Sequence, residues 1–174
     1  MKTARLILAK PALEDVTTYF EIYGDIRTNL YNPFGPVPDI TAAKANMRKF
    51  TTHWEQYGFG PWKISLESKP EEIIGYGGLS HKMYGDVDRI NVGYRFAESA
   101  WGKGYATEFC KAAIQYGFEE LNFPEIYAVV RPVNLASIKV LEKSDMVLNG
   151  ELDDVPGQVK SLVYYIRKAD PYAL

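Results

Sequence analysis

Residues 89–121 read RINVGYRFAESAWGKGYATEFCKAAIQYGFEEL, and this stretch, Arg89 to Leu121, decides the fold. It reads as a strand, a short loop bearing glycines, and a long amphipathic helix. The loop is Trp101-Gly102-Lys103-Gly104-Tyr105-Ala106-Thr107. Two glycines let the backbone approach a ligand closely, and unpaired N–H groups at the helix start favour an anion. The expected ligand group is a pyrophosphate. In the helix, Ala106, Phe109, Cys110, Ala113, Ile114, Gly117, Phe118 and Leu121 fall on one stripe, with Thr107, Glu108, Lys111, Gln115 and Glu119 opposite. Cys110 therefore reads as a small core residue rather than a nucleophile.

Upstream, Thr3 to Leu8 is aliphatic enough for a first strand, stopped by Lys10-Pro11. Leu13, Val16, Phe20 and Tyr23 recur at helical spacing. The turn formers from Gly24-Asp25 and from Asn32 to Pro38 make a loop. Asp39 or Thr41 can cap a second helix, whose apolar face is Ala43, Met47, Phe50, Trp54 and Tyr57 and which stops at Gly58. Trp62, Ile64 and Leu66 alternate with Lys63, Ser65 and Glu67 as in a half-buried strand. Ser68 to Glu71 makes a turn, Ile73 to Ser80 a strand softened by Gly75, Gly77 and Gly78, and Tyr84-Gly85-Asp86 another turn. Downstream, Ile126 to Arg131 is a strand, and Asn134 caps a helix through Lys143 with Ile138 and Leu141 facing in. Met146 to Leu152 and Ser161 to Arg167 form a terminal hairpin. The sum is an α+β (mixed α/β) domain spanning residues 1–174, with one central sheet and helices on both faces.

A chain of 174 residues can bury a sizeable core. Its net charge of −2 gives no electrostatic case for nucleic acid. The one cysteine excludes an intramolecular disulfide and fits a reducing compartment. No apolar run is long enough for a bilayer, and MKTARLILAKP lacks the pattern of a signal peptide, so the expected setting is cytoplasmic. The glycine loop is wrongly spaced for other nucleotide sites. A Rossmann fingerprint needs a third spaced glycine, and a P-loop needs Gly-Lys-Ser/Thr after four intervening residues.

VGYRF followed by WGKGYATE, together with NLASIKVLEK, resembles the GNAT superfamily of acyl-coenzyme A-dependent N-acetyltransferases. Within it the chain looks most like the ribosomal-protein N-terminal acetyltransferase branch. The resemblance covers nearly the whole chain. The superfamily's Q/R-x-x-G-x-G/A motif falls on Trp101, Gly104 and Ala106, with Trp101 in place of Gln or Arg. The resemblance implies a mostly antiparallel sheet of about seven strands, splayed between the fourth and fifth. It implies that backbone N–H groups of Gly102, Lys103, Gly104, Tyr105, Ala106 and Thr107 hold the coenzyme A pyrophosphate. It also implies that the backbone of Tyr94 and Phe96 pairs with the pantetheine arm inside the splay. The expected donor is acetyl-CoA and the reaction a direct attack by a primary amine, with no metal. Homodimers are frequent in the family, and the aromatic content allows one.

Such a transfer needs a neutral amine, a polarised thioester carbonyl and a stabilised leaving thiolate. Polarisation is assigned to a backbone N–H around Tyr94 and Phe96. For the thiolate, many superfamily members place a Tyr where this chain has Leu141. The branch it resembles uses a Ser three residues after the cap Asn, which is Ser137 here. Asn134 then reads as a hydrogen-bond partner of the pantetheine arm as well as a cap, and Lys143 as a phosphate contact or a residue complementing the helix dipole. The family often has Glu where this chain has Asn91. His81, Asp88 and Glu151 are the other bases considered, and none is assigned. An N-terminal α-amine, with a pKa near 8, would need little help. Tyr31 and Phe34 either line the acceptor pocket or pack in the core. The acceptor is a protein N-terminus or a small molecule, and the alternative function is a non-catalytic acyl-CoA-binding or sensing module.

Overall fold

The structure is a computed structural model and describes residues 1–169. Its centre is an antiparallel meander of β1 (Leu6–Ala9), β2 (Pro61–Leu66), β3 (Lys69–Tyr84) and β4 (Val87–Phe96). Then β5 (Glu125–Val130) pairs with the hairpin of β6 (Val147–Leu152) and β7 (Ser161–Arg167). The sheet order is β1-β2-β3-β4-β5-β7-β6. Every neighbouring pair is antiparallel except β4 and β5, which run parallel and register at one position, Asn91 opposite Tyr127. The expected splay lies there.

Among the described residues, four helices cover the sheet: α1 (Val16–Tyr23) and α2 (Ile40–Tyr57) on one face, α3 (Tyr105–Glu119) and α4 (Leu135–Glu142) on the other. Val16, Tyr19 and Ile22 meet Ala43, Met47 and Tyr76 in the first core. Phe109, Cys110, Ala113 and Ile114 meet Leu79, Val92, Phe96, Ile126 and Ala128 in the second. Alternation along β4 enforces this division, since successive side chains point to opposite faces. The caps follow from sequence: Asp39 Oδ1 accepts from the Ala42 amide at 2.8 Å, and Gly58 closes α2 at φ +74°.

Several sequence expectations shift. The first strand starts at Leu6 rather than Thr3. Leu13 lies in a 3₁₀ turn and is 45% exposed, outside the α1 face. Asp15 causes this: its carboxylate accepts from the Ala12 amide at 2.7 Å and holds Lys63, so the α-helix proper begins one residue later. The buried positions are accordingly Val16, Tyr19 and Ile22. On α2 only Ala43 and Met47 are fully buried, and Tyr57 is exposed. The turn after β2 is at Glu67 and Ser68, so β3 takes in Lys69 to Glu71. Pro70 is tolerated because the ladder is already irregular between Ser65 and Leu66.

The glycines of β3 mark close approach. A Cβ on Gly78 would stand 2.4 Å from the Gly60 carbonyl oxygen and 2.5 Å from Pro61 Cα, both backbone atoms that cannot swing aside. Gly78→Ala is expected to cost about 1–3 kcal/mol by overpacking. The measurement is the urea midpoint at unchanged slope; a midpoint equal to the parent's would show that β2 and β3 have room to part.

Candidate functional site

The site begins with unpaired backbone. In β4 the odd-numbered residues turn their peptide groups to β3: the Ala97 amide donates to Ile74 O at 2.9 Å, and the Gly93 and Arg95 carbonyls press on Gly77 and Gly75. The even-numbered residues Tyr94 and Phe96 therefore turn theirs toward β5. But β5 has left, having met β4 only at Asn91. Among the described residues no strand pairs with that edge beyond this point. The Phe96 carbonyl is the exception to its openness: it accepts from Trp101 Nε1 at 3.1 Å. The structure thus gives Trp101 a role that the motif alone did not show, tying the loop back to the strand end.

The loop that follows is exposed from Trp101 to Gly104. Gly102 and Gly104 take φ of +72° and +78°, and nothing lies within 4 Å of a Cβ built on Gly102. Gly104 is the N-cap of α3 and offers no side-chain cap. The first amide of this turn bonded within the chain is that of Glu108, to the Gly104 carbonyl at 3.1 Å. Among the described residues nothing accepts from the N–H groups of Gly102 to Thr107. Six donors at a helix N-terminus, with glycine backbone open to approach, suit a polyanion.

A clamp that the sequence did not reveal holds this turn. Arg5, just before β1, donates through Nε to Glu108 Oε2 at 2.7 Å and through a guanidinium nitrogen to Lys103 O at 3.0 Å. Its amide and the Thr3 hydroxyl reach Glu108 Oε1 at 2.8 and 2.6 Å, and its guanidinium lies 4.7 Å over the Tyr105 ring. Burial pushes the Glu108 carboxyl up, but the hydrogen bonds from Thr3 and Arg5 and the guanidinium charge outweigh it and leave the carboxyl below its usual range. With Arg5 and Glu108 separated by 103 residues, no local pattern could have paired them.

Across the gap, α4 presents its first turn. Asn134 Oδ1 accepts from the Ser137 amide at 3.2 Å, so the capping role is in place and the Asn134 amide nitrogen keeps its donors. Ser137 is half-buried, Leu141 is buried, and Lys143 is exposed at the far end of the helix. Tyr94 projects from β4 to this side, its ring 6.0 Å from Phe109. Its phenol is buried with no hydrogen-bond partner. Burial raises the phenol's pKa; the Cys110 thiol and the Ser137 hydroxyl are its polar neighbours, and neither completes a hydrogen bond with it. Cys110 is buried, as expected, and burial pushes its thiol up to about 11.

On the opposite face, Asn91 Oδ1 accepts from the Tyr84 phenol at 2.7 Å. Tyr84 reads as a turn residue in sequence; the tight β3–β4 hairpin brings it over Asn91. Beside them Tyr127 carries the Arg89 guanidinium 4.1 Å over its ring, and Arg89 pairs with Glu125. The three bases considered from sequence are elsewhere. His81 pairs with Asp88 at 2.7 Å, and strand alternation puts both on the α3 face, away from Asn91. Glu151 is exposed on the edge strand β6. Tyr31 and Phe34 do not pack in the core: Phe34 is 81% exposed and, with Tyr23, Val37, Phe50 and Arg95, lines a cleft of about 390 Å³. Arg95, 4.6 Å over the Tyr23 ring and bonded to the buried Asn29, is another residue that no sequence pattern marks.

An open seven-stranded sheet, parallel only where it parts and flanked by helices on both faces, is the GNAT fold of acyltransferases. The chain belongs to the acetyltransferase (GNAT) domain family, whose model matches residues 5–147. It is 30% identical over 152 residues to the uncharacterized N-acetyltransferase p20 of Bacillus licheniformis, covering 87% of this chain and 84% of that one. An acetyltransferase from Agrobacterium tumefaciens str. C58 superposes with a TM-score of 0.80 at 26% identity, over 97% of this chain and 94% of that one. Mycobacterium smegmatis RimJ in complex with CoA-disulfide shares the fold, with a TM-score of 0.75 at 19% identity over 95% and 86% of the two chains. Membership implies acetyl transfer from acetyl-CoA to an amine.

The clamp is testable. The folded pKa of Glu108 lies below the unfolded one, so its contribution is in place above the ordinary glutamate range and is lost as pH falls through the folded value. Glu108→Gln should lower stability by about 1–2 kcal/mol at neutral pH. The difference from the parent should shrink in strongly acidic buffer, as urea titrations at the two pH values would show. Equal losses at both would mean that the charge contributes nothing.

Proposed function

We propose that the chain acts as one domain that transfers acetyl from acetyl-CoA to a primary amine by direct attack within a ternary complex. The observation that carries this reading is the meeting of two open backbone surfaces, the free edge of β4 at Tyr94 and Phe96 and the free N–H groups of Gly102 to Thr107. The first fits an extended amide-bearing arm and the second a pyrophosphate, in the order in which coenzyme A carries them. Bound acetyl-CoA supplies the acetyl group as a thioester and a thiolate as leaving group. A backbone N–H of β4 near Tyr94 polarises the carbonyl. Ser137 donates a hydrogen bond toward the sulfur, Asn134 uses its free amide protons on the arm, and Lys143 is a more distant phosphate contact.

Asn91 takes no proton. Its oxygen is occupied by Tyr84, whose phenol is held protonated by burial. The amine must therefore arrive neutral, which suits an α-amine with a pKa near 8 better than a lysine near 10.4. That supports a protein N-terminus as acceptor, in the manner of the ribosomal-protein branch. Phe34, Tyr31 and Arg95 would meet the residues behind the amine. The reading includes a cytoplasmic setting, in keeping with a buried free thiol, and a homodimer. The second reading is an acyl-CoA sensor, favoured by Asn91 and Leu141 standing where catalytic groups are common in the family.

Acetyl-CoA at 100 times its Kd should stabilise the protein by about 2.7 kcal/mol, seen as a thermal shift. Thiol release over a panel of peptide N-termini, lysine analogues and small amines then separates enzyme from sensor. Ser137→Ala should lower kcat about tenfold, equivalent to roughly 1.4 kcal/mol of barrier, while leaving the Kd for acetyl-CoA within about twofold. Binding without turnover on any amine would support the sensor, and neither shift nor turnover would end the coenzyme A reading.

A further inference from the structure

Among the described residues, the Tyr94 phenol oxygen is the one buried side-chain polar atom without a hydrogen-bond partner. Buried polar atoms are nearly always paired, so one that is not calls for a reason. Packing does not supply it. The Tyr94 ring sits 6.1 Å from Phe96 and 6.0 Å from Phe109, contacts that a phenylalanine would make equally well. The hydroxyl is thus extra to the fold, on a residue whose backbone lies beyond the one β4–β5 bridge.

Its two polar neighbours are not equivalent. The Cys110 thiol is buried in the apolar core, and the nearby Ser144 hydroxyl donates to Val140 O at 2.8 Å. Ser137 is uncommitted: its amide is fixed by Asn134 at 3.2 Å, while its hydroxyl has no partner among the described residues. An unpaired buried phenol from the sheet and an unpaired, half-buried hydroxyl from α4 are therefore neighbours. A hydroxyl has one proton to give and two lone pairs to accept with. If Ser137 is to give its proton to a sulfur, its oxygen is best held by a donor, and accepting a bond strengthens the one it donates. A buried phenol that stays protonated is such a donor.

We propose that Tyr94 is a positioning residue, its phenol donating to Ser137 Oγ and so aiming the single Ser137 proton at the leaving sulfur. This rests on the reading of Ser137 given above. No proton leaves Tyr94: the C–S bond breaks with its electron pair on sulfur, the new C–N bond forms from the amine lone pair, the proton then lost from nitrogen passes to solvent, and the two hydroxyls act by hydrogen bonding alone. In the absence of donor the Tyr94–Ser137 contact is left open, and it closes when the sulfur draws the Ser137 proton round.

The test is a double-mutant cycle on the full chain with acetyl-CoA and the best amine of the panel. Tyr94→Phe should lower kcat about fivefold to tenfold, leave the KM for acetyl-CoA within about twofold, and leave the melting temperature of the free protein unchanged or raised. Tyr94→Phe combined with Ser137→Ala should be no slower than Ser137→Ala alone. A Tyr94→Phe variant with parental kcat, a matching rise in KM, or multiplicative losses in the double variant would overturn the proposal. If Ser137→Ala is itself silent, or the parent neither binds nor turns over acetyl-CoA, the underlying reading fails and this one with it; those results are distinct from a silent Tyr94→Phe beside an impaired Ser137→Ala.

Discussion

Peptide groups need partners, and at Asn91 the sheet stops providing them. At that residue alone β4 registers with a strand on each side; beyond it, Tyr94 and Phe96 keep β3 and have no β5. A buried N–H or carbonyl left alone is costly, so an edge like this persists only where something else fills it. The surrounding elements read as means of keeping the gap open and shaped. α3 starts where β4 ends, Trp101 ties that junction, and Arg5 holds the turn from the other side. On α4 the Ser137 amide donates to Asn134 Oδ1, which fixes the first turn.

Much of this was legible in the chain. The helix stripe from Phe109 to Gly117 is buried as its spacing requires, the Asp39 and Asn134 caps are made, and β7 has the limits read from sequence. These are local matters, set by period and by side chains within one turn. The parting of β4 and β5 was not legible from period, because a strand that loses one neighbour alternates as before. It entered through family resemblance. The Arg5–Glu108 clamp and the Tyr84–Asn91 bond join residues that only the folded sheet brings together. Leu13 misled because its spacing fits α1, while the hydrogen bond between Asp15 and Ala12 ends that register in a 3₁₀ turn.

The two faces of the gap differ in chemistry. On the α3 face the groups near it are hydroxyls and a thiol set in apolar packing, with burial holding the phenol and thiol protonated. On the α1 face they are tyrosines, an amide and guanidinium groups, with Arg89 offset by Glu125 and Arg95 bonded to a neutral asparagine. Among the described residues, the lining of the cleft beside Phe34 includes Lys49 and Arg95 and no carboxylate. A ligand entering that cleft would meet positive charge.

The single bridge between Asn91 and Tyr127 also governs how the molecule holds together. A sheet normally passes stability from strand to strand through its ladder. Here the ladder is reduced to one bridge, and α3 packs across both halves, with Phe109 against Phe96 of one and Gly117 against both Leu79 and Ile126. α3 is thus the spine of a two-leaved book. The width of the opening at its free edge is set by how that spine packs, and the core beneath it determines how closely the two leaves can grip what lies between them.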